Sequence, residues 1–259
     1  MCAESQDAYV SAKEFLRVII PRNSNAWVIM IEAYLDDTGA EWFAGFGGFA
    51  GKAEVWKELE PSWIARNEYH RIGEFHAKEY SELVGDYVAM ILEYDLLLVG
   101  RTIDRMSYRE YAPRVRRNDF GINIFADSAR ECVQRILNWM TLFPSEHCAF
   151  VIDCKSEYAA SVVDAINFDI ARNGQHQQVL SVTILNSENK HRFPMRQVAD
   201  LGANLTARHT ASIHYKQRVE KDFSRMFFER KHFLGITHAD AYSIQGEVDI
   251  FTDPVWGNF

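Results

Sequence analysis

Asn25 to Gly39 reads NAWVIMIEAYLDDTG. Val28, Ile29, Met30 and Ile31 form an apolar run, Ala33, Tyr34 and Leu35 extend it, and Asp36-Asp37-Thr38-Gly39 closes it. Such a short, β-branched and aromatic run favours a buried strand that delivers carboxylates to the rim of a sheet. Neighbouring strand residues face opposite sides, so only one of Asp36 and Asp37 need point inward. A plainer account stands beside this one: the two aspartates start a turn, and Gly39 supplies a positive φ.

Working outward, a second apolar run, Trp42 to Phe49 (WFAGFGGF), makes an antiparallel hairpin over 27–50 the natural pairing. Its glycines at 45, 47 and 48 permit a bulge or close backbone approach; they lack the Gly-x-Gly-x-x-Gly spacing of a phosphate cradle. Upstream, residues 7–20 read as a helix closed by Pro21 and Asn23. Downstream, a helix is expected over Ala53 to Asn67, with Val55, Trp56, Leu59, Trp63 and Ile64 inward and Pro61 tolerated. Phe75-His76-Ala77-Lys78-Glu79 is an isolated cluster, Tyr80 to Tyr94 reads as helix, and Asp95 to Ile103 as a strand.

The spacing of Ile122, Phe125, Ala129, Val133, Ile136 and Met140 predicts a helix within Asp119 to Leu142. Cys148 to Asp153 is a short strand that again ends on an aspartate. A helix over Glu157 to Arg172, ended by Asn173-Gly174, a strand over Val179 to Leu185 and a helix over Met195 to Arg208 follow. Tyr215 to Arg230 reads as helix, and the tail depends on packing of Ile244, Ile250, Phe251 and Trp256.

The chain has 259 residues, 47% of them hydrophobic and 13% aromatic, which excludes a disordered chain and allows one full-sized core. One α/β domain spanning 1–259 is expected, with a core about 26–208, the N-terminal helix 7–20 and a C-terminal extension 209–259. The net charge of -8 argues against a surface built for non-specific capture of duplex nucleic acid. It is compatible with a nuclease, because carboxylates that hold cations count as negative until the ions arrive. The densest basic run is Arg101, Arg105, Arg109, Arg114, Arg116 and Arg117, which is either a phosphate-guiding patch or a solvated, salt-bridged face. Cys2, Cys132, Cys148 and Cys154 have no paired zinc spacing and read as free thiols. The acidic N-terminal stretch is unlike a signal peptide and no apolar run is long enough to span a bilayer, so a cytoplasmic protein is expected.

The strands ending at Asp36 and Asp153 bring two carboxylates to one edge if they are parallel neighbours. Asp200 sits in the small, apolar helical context Val198-Ala199-Asp200-Leu201-Gly202-Ala203, where an unpaired charge would be costly. Three converging carboxylates raise one another's pKa unless a cation lies between them, and oxygen-only donors suit Mg²⁺ or Mn²⁺. One or two such ions, about 3.5 to 4 Å apart when paired, would suit phosphodiester cleavage.

Ala33-Tyr34-Leu35-Asp36-Asp37-Thr38-Gly39 resembles the Tyr-x-Asp-Glu-Ser-Gly opening of the bacterial family catalogued as domain of unknown function 3800. The resemblance continues through Phe46-Gly47-Gly48-Phe49, Phe75-His76-Ala77, Phe150-Val151-Ile152-Asp153 and Gln197-Val198-Ala199-Asp200-Leu201, covering roughly Val28 to Ala207. It implies a ribonuclease H-like fold: a mixed five-stranded sheet flanked by helices, its first three strands antiparallel and its last two parallel beside the first. It also implies that Asp36, Asp153 and Asp200 bind the metal. Asp37 replaces the family glutamate and Thr38 the serine, which shortens the second acid by one methylene.

Other side chains have two readings each. His76 is a candidate general acid or base, or a packed histidine. Glu79 is a fourth acid or a solvated glutamate; Gln197 orients Asp200 or a water, or makes an ordinary second-layer hydrogen bond. His209, His214, His232 and His238 lack metal spacing and read as structural. A Gly-x-Ser-x-Gly nucleophile elbow is missing from the sequence. The expected function is a divalent-metal-dependent nuclease-like hydrolase, with Arg114 and Arg116 guiding a nucleic acid and no membrane partner. A scaffold protein that keeps the fold, and a hydrolase of a small nucleotide or phosphorylated substrate, are the alternatives.

Overall fold

A computed structural model of the chain describes residues 30–106, 108–109, 123–142, 145–185, 194–214 and 233–239. The expected helices 7–20 and 215–230, the four apolar tail residues, Trp27 to Ile29, Ile122, Arg114, Arg116, Arg117, Cys2 and His232 lie outside the described residues.

The elements are β1 (Met30–Gly39), β2 (Phe43–Lys52), α1 (Ala53–His70), α2 (Val84–Ile91), β3 (Leu96–Asp104), α3 (Ile124–Met140), β4 (His147–Asp153), α4 (Ser156–Arg172), β5 (Val179–Leu185), α5 (Pro194–His214) and β6 (Phe233–Ala239). The strands form one mixed sheet in the order β5-β4-β1-β2-β3-β6. β1, β2 and β3 run antiparallel because tight or returning connections join them, while β4 lies parallel to β1 and β5 parallel to β4, each reached by a longer crossover. The expected five-stranded α/β sheet is present. It is extended by β6, parallel to β3, in a region expected to hold only a helical extension.

Alternation along the strands sorts the side chains into two layers. Ile31, Ala33 and Leu35 of β1, with Cys148, Phe150 and Ile152 of β4, pack against α3 and α4 through Val133, Ile136, Val162 and Ile166. Tyr34 and Phe49 face the other layer, built from α1, α2 and α5 around Trp63, Phe75, Tyr87 and Val198. Each fully buried side chain of this size contributes about 1.5–3 kcal/mol against exposure. No described helix is long and apolar enough to cross a membrane.

Several local expectations change. β1 runs through both aspartates to Gly39, and the chain reverses at 40–42, so Asp36 and Asp37 are strand residues and do not start the turn. Among the described residues positive φ occurs at Arg71 and Gly174, not Gly39. Ile64 of α1 is 42% exposed, whereas Asn67 is buried in its place. The helix expected over Tyr80 to Tyr94 narrows to α2, and α3 starts at Ile124 because the Asn123 side chain accepts hydrogen bonds from the N–H groups of Phe125 and Ala126.

Close approach, not a bulge, is the use made of the β2 glycines. A Cβ on Gly47 would lie 2.3 Å from Thr206 Oγ1, 2.8 Å from Gly202 O and 2.9 Å from Ala203 Cα. Gly100, its register partner on β3, has Thr206 Oγ1 at the same 2.3 Å. α5 therefore rests on bare sheet backbone at these two strands, which brings the helix low enough for its earlier turns to meet the ends of β1 and β4.

Candidate acidic site at the sheet edge

Asp36 and Asp153 are Cα partners in the last register of the parallel β1–β4 ladder. They share the face that carries Tyr34 and Val151, the face covered by α5, and Asp200 comes down on them from that helix. Asp37 points the other way and accepts a hydrogen bond from the Tyr158 hydroxyl of α4. The adjacent aspartates thus serve opposite layers, as strand alternation requires.

Each of the three carboxylates is held through one oxygen. The Asp37 N–H donates to Asp36 Oδ1 at 2.8 Å, the Ala77 N–H donates to Asp200 Oδ2 at 2.7 Å, and Arg196 Nε donates to Asp153 Oδ2. Among the described residues the second oxygen of each takes no hydrogen bond. Burial pushes the Asp36 carboxyl well above the usual range; the charges of Asp153, Asp200 and Asp37 push it further, and Arg196 opposes them. Burial also raises Asp200, against the Ala77 N–H and the charges of His76, Lys78 and Arg196.

Arg196, with Asp200 one turn on at the i,i+4 position, was not among the residues singled out from sequence. Its Nη1 lies 4.0 Å from Glu74 Oε1, and Glu74 is 3.8 Å from His76 Nε2. The basic residue four positions before Asp200 on a helical pattern was the available signal. Nothing in the local sequence of Glu74 distinguished it.

Gln197 does not orient Asp200. Its Oε1 accepts from Trp63 Nε1, Asn67 Nδ2 and the Phe75 N–H, all at 2.9 Å. Gln197 and Asp200 together grip the backbone at 75 and 77, burying Phe75 and Ala77 and leaving His76 turned out beside Asp200. Glu79 is exposed, and no hydrogen bond joins it to the three aspartates. Of the arginine run, Arg101 packs near Cys132, Arg105 Nε donates to the carbonyls of Ala40 and Phe43 at 3.1 Å, and Arg109 is exposed. His209 is buried on α5.

The donor set fits a hard divalent cation in type: carboxylate oxygens only, one open on each residue, with more negative charge than Arg196 offsets. Among the described residues, however, no group of three or more His, Cys, Asp and Glu side chains is gathered into a ready-made metal cage. Arg196 holds Asp153 and acts on the other two carboxylates. Compared with known proteins, the sequence matches no protein-family model and no curated protein.

Proposed function

We propose that the chain is a divalent-metal-dependent phosphodiester hydrolase of ribonuclease H-like type, related to the family its motifs resemble. The observation that carries this reading is the Asp36–Asp153 pair at the carboxyl edge of adjacent parallel strands, with Asp200 above it and the Asp36 carboxyl pushed up by burial and by its acidic neighbours. Acid-acid repulsion of this kind is retained where a cation relieves it.

Asp36, Asp153 and Asp200 would hold Mg²⁺ or Mn²⁺, whose chemistry is to activate a water and steady the leaving oxygen. Arg196 holds Asp153 through its Nε–H and offers a guanidinium to a phosphate. His76, turned toward solvent beside Asp200, is the group that carries a proton to or from the leaving oxygen. The Ala77 N–H fixes the Asp200 carboxylate through Oδ2.

A scaffold role is favoured by one observation: Arg196 already supplies a positive partner for Asp153. Mn²⁺ titration calorimetry alongside cleavage of a labelled oligonucleotide separates the two. Saturable heat and metal-dependent cleavage, both lost in Asp36→Asn, are expected for the hydrolase; no heat and no cleavage in the parent chain overturn it.

A further inference from the structure

Across the sheet from the carboxylates, at the same edge, lies a groove of about 550 Å³ lined by Arg105, Tyr108, Arg109, Asn123, Phe125 and Tyr158. Its floor is aromatic. Phe125 stacks on Tyr158 with ring centroids 4.3 Å apart and planes 5° apart, and the Arg105 guanidinium lies 5.6 Å from the Phe125 centroid. Tyr108 is fixed by donating to Asp127 Oδ2 at 2.6 Å, and Arg105 by its two carbonyl contacts, so these walls are pre-organised.

Charge of both signs lines the groove: Arg105 and Arg109, with exposed Glu157. The first turns of α3 and α4, around Ile124 and Glu157, add their positive ends. A ligand with an anionic group and a planar, neutral ring fits this lining, the anion against the guanidiniums and the ring along the part-exposed Phe125, with its amino edge toward Glu157. The volume lies within the range that holds one small organic unit.

The groove also touches the acidic site. Tyr158 in its floor donates to Asp37, whose own N–H donates to Asp36 Oδ1. A strand of nucleic acid passing over the end of β1 would meet both faces within one or two nucleotides. From these relations we infer that the groove binds one unpaired nucleotide of a single-stranded nucleic acid and so sets which strand reaches the carboxylates. The choice of a polymer rests on the phosphodiester reading above; the groove's preference for a phosphate and a ring does not.

The test is fluorescence anisotropy with the full chain and a short labelled single strand at low salt in EDTA, so that cleavage is not read. Saturable binding is expected, weaker for the matching duplex, reduced about tenfold by Arg109→Glu and largely kept by Arg109→Lys. Arg109 is exposed, and a thermal melt checks that its variants fold. No saturable binding, equal or tighter binding of the duplex, or an unchanged affinity in Arg109→Glu overturns the inference. So does competition by a nucleoside monophosphate as effective as the strand itself, which would assign the groove to a small nucleotide. Binding without metal-dependent cleavage removes the hydrolase and leaves the groove; cleavage lost in Asp36→Asn with Arg109→Glu binding unchanged does the reverse.

Discussion

Asp36 and Asp153 face each other across the final register of the parallel β1–β4 ladder, on the side covered by α5. Neighbouring strands in a sheet lie about 4.8 Å apart, so two like charges are held close by backbone geometry alone. This enforced proximity gives the first prediction its sign.

The folded-state pKa of Asp36 is raised, so the native chain binds a proton that the unfolded chain has already released. Stability contributed by this group is therefore highest at low pH and falls as pH rises from the unfolded carboxylate value, about 3.9, through the higher native value. Asp36→Asn should raise Tm at pH 7 by a few degrees and confer little at pH 4. Mn²⁺ should raise the Tm of the parent chain and not of the variant. A variant that melts lower than the parent at pH 7 would contradict the repulsion argument.

Arg196→Leu removes the donor that holds buried Asp153. The loss should be about 3 kcal/mol in urea denaturation without metal, the scale of stranding one member of a buried ion pair. Saturating Mn²⁺ should recover a large part of it, because a cation replaces the guanidinium as partner. Recovery by Mn²⁺ equal to that of the parent would mean that Arg196 and metal do not share the site.

Gly47→Ala and Gly100→Ala should both destabilise, by about 1–3 kcal/mol, through overpacking under α5. Their rescue differs. The three atoms nearest a Cβ on Gly100 all belong to the Thr206 side chain, so adding Thr206→Ala should restore most of the lost stability. Gly47 would also meet the Gly202 carbonyl and Ala203 Cα, so the same second change should restore little. Double-mutant melts read the difference.

Gln197→Leu leaves Trp63 Nε1, Asn67 Nδ2 and the Phe75 N–H without their shared acceptor in a buried setting. A loss of about 3 kcal/mol or more is expected. Amide exchange should speed up at Phe75 and Ala77 before it does in β1, because the 75–77 segment is held through α5.

Cys132, Cys148 and Cys154 are all buried, and burial pushes the thiols of Cys132 and Cys154 up to about 12. None of the three should label with iodoacetamide at pH 8 in the native chain, and all should label in denaturant, as read by peptide mass. This extends to Cys154, which lies beside the aspartates: they raise its thiol further and make it a poor nucleophile.

Much of the architecture was legible along the chain. Short apolar runs and the Asn173-Gly174 stop marked β1 to β5 and their helices, since hydrophobic patterning is a local property and each strand carries its own. Asp36 and Asp153 could be named as edge carboxylates because each directly follows an apolar strand. What the sequence did not carry was partnership. Arg196 pairs with Asp153 across 43 residues, Tyr158 with Asp37 across 121 and Gln197 with Trp63 across 134. Such contacts depend on how low α5 sits and on which face each aspartate takes. The depth of α5 is set where Gly47 and Gly100 lie side by side, an adjacency that exists only once β2 and β3 pair. Strand type and strand end are written in consecutive residues; the electrostatics of the site come from packing between residues far apart in the chain.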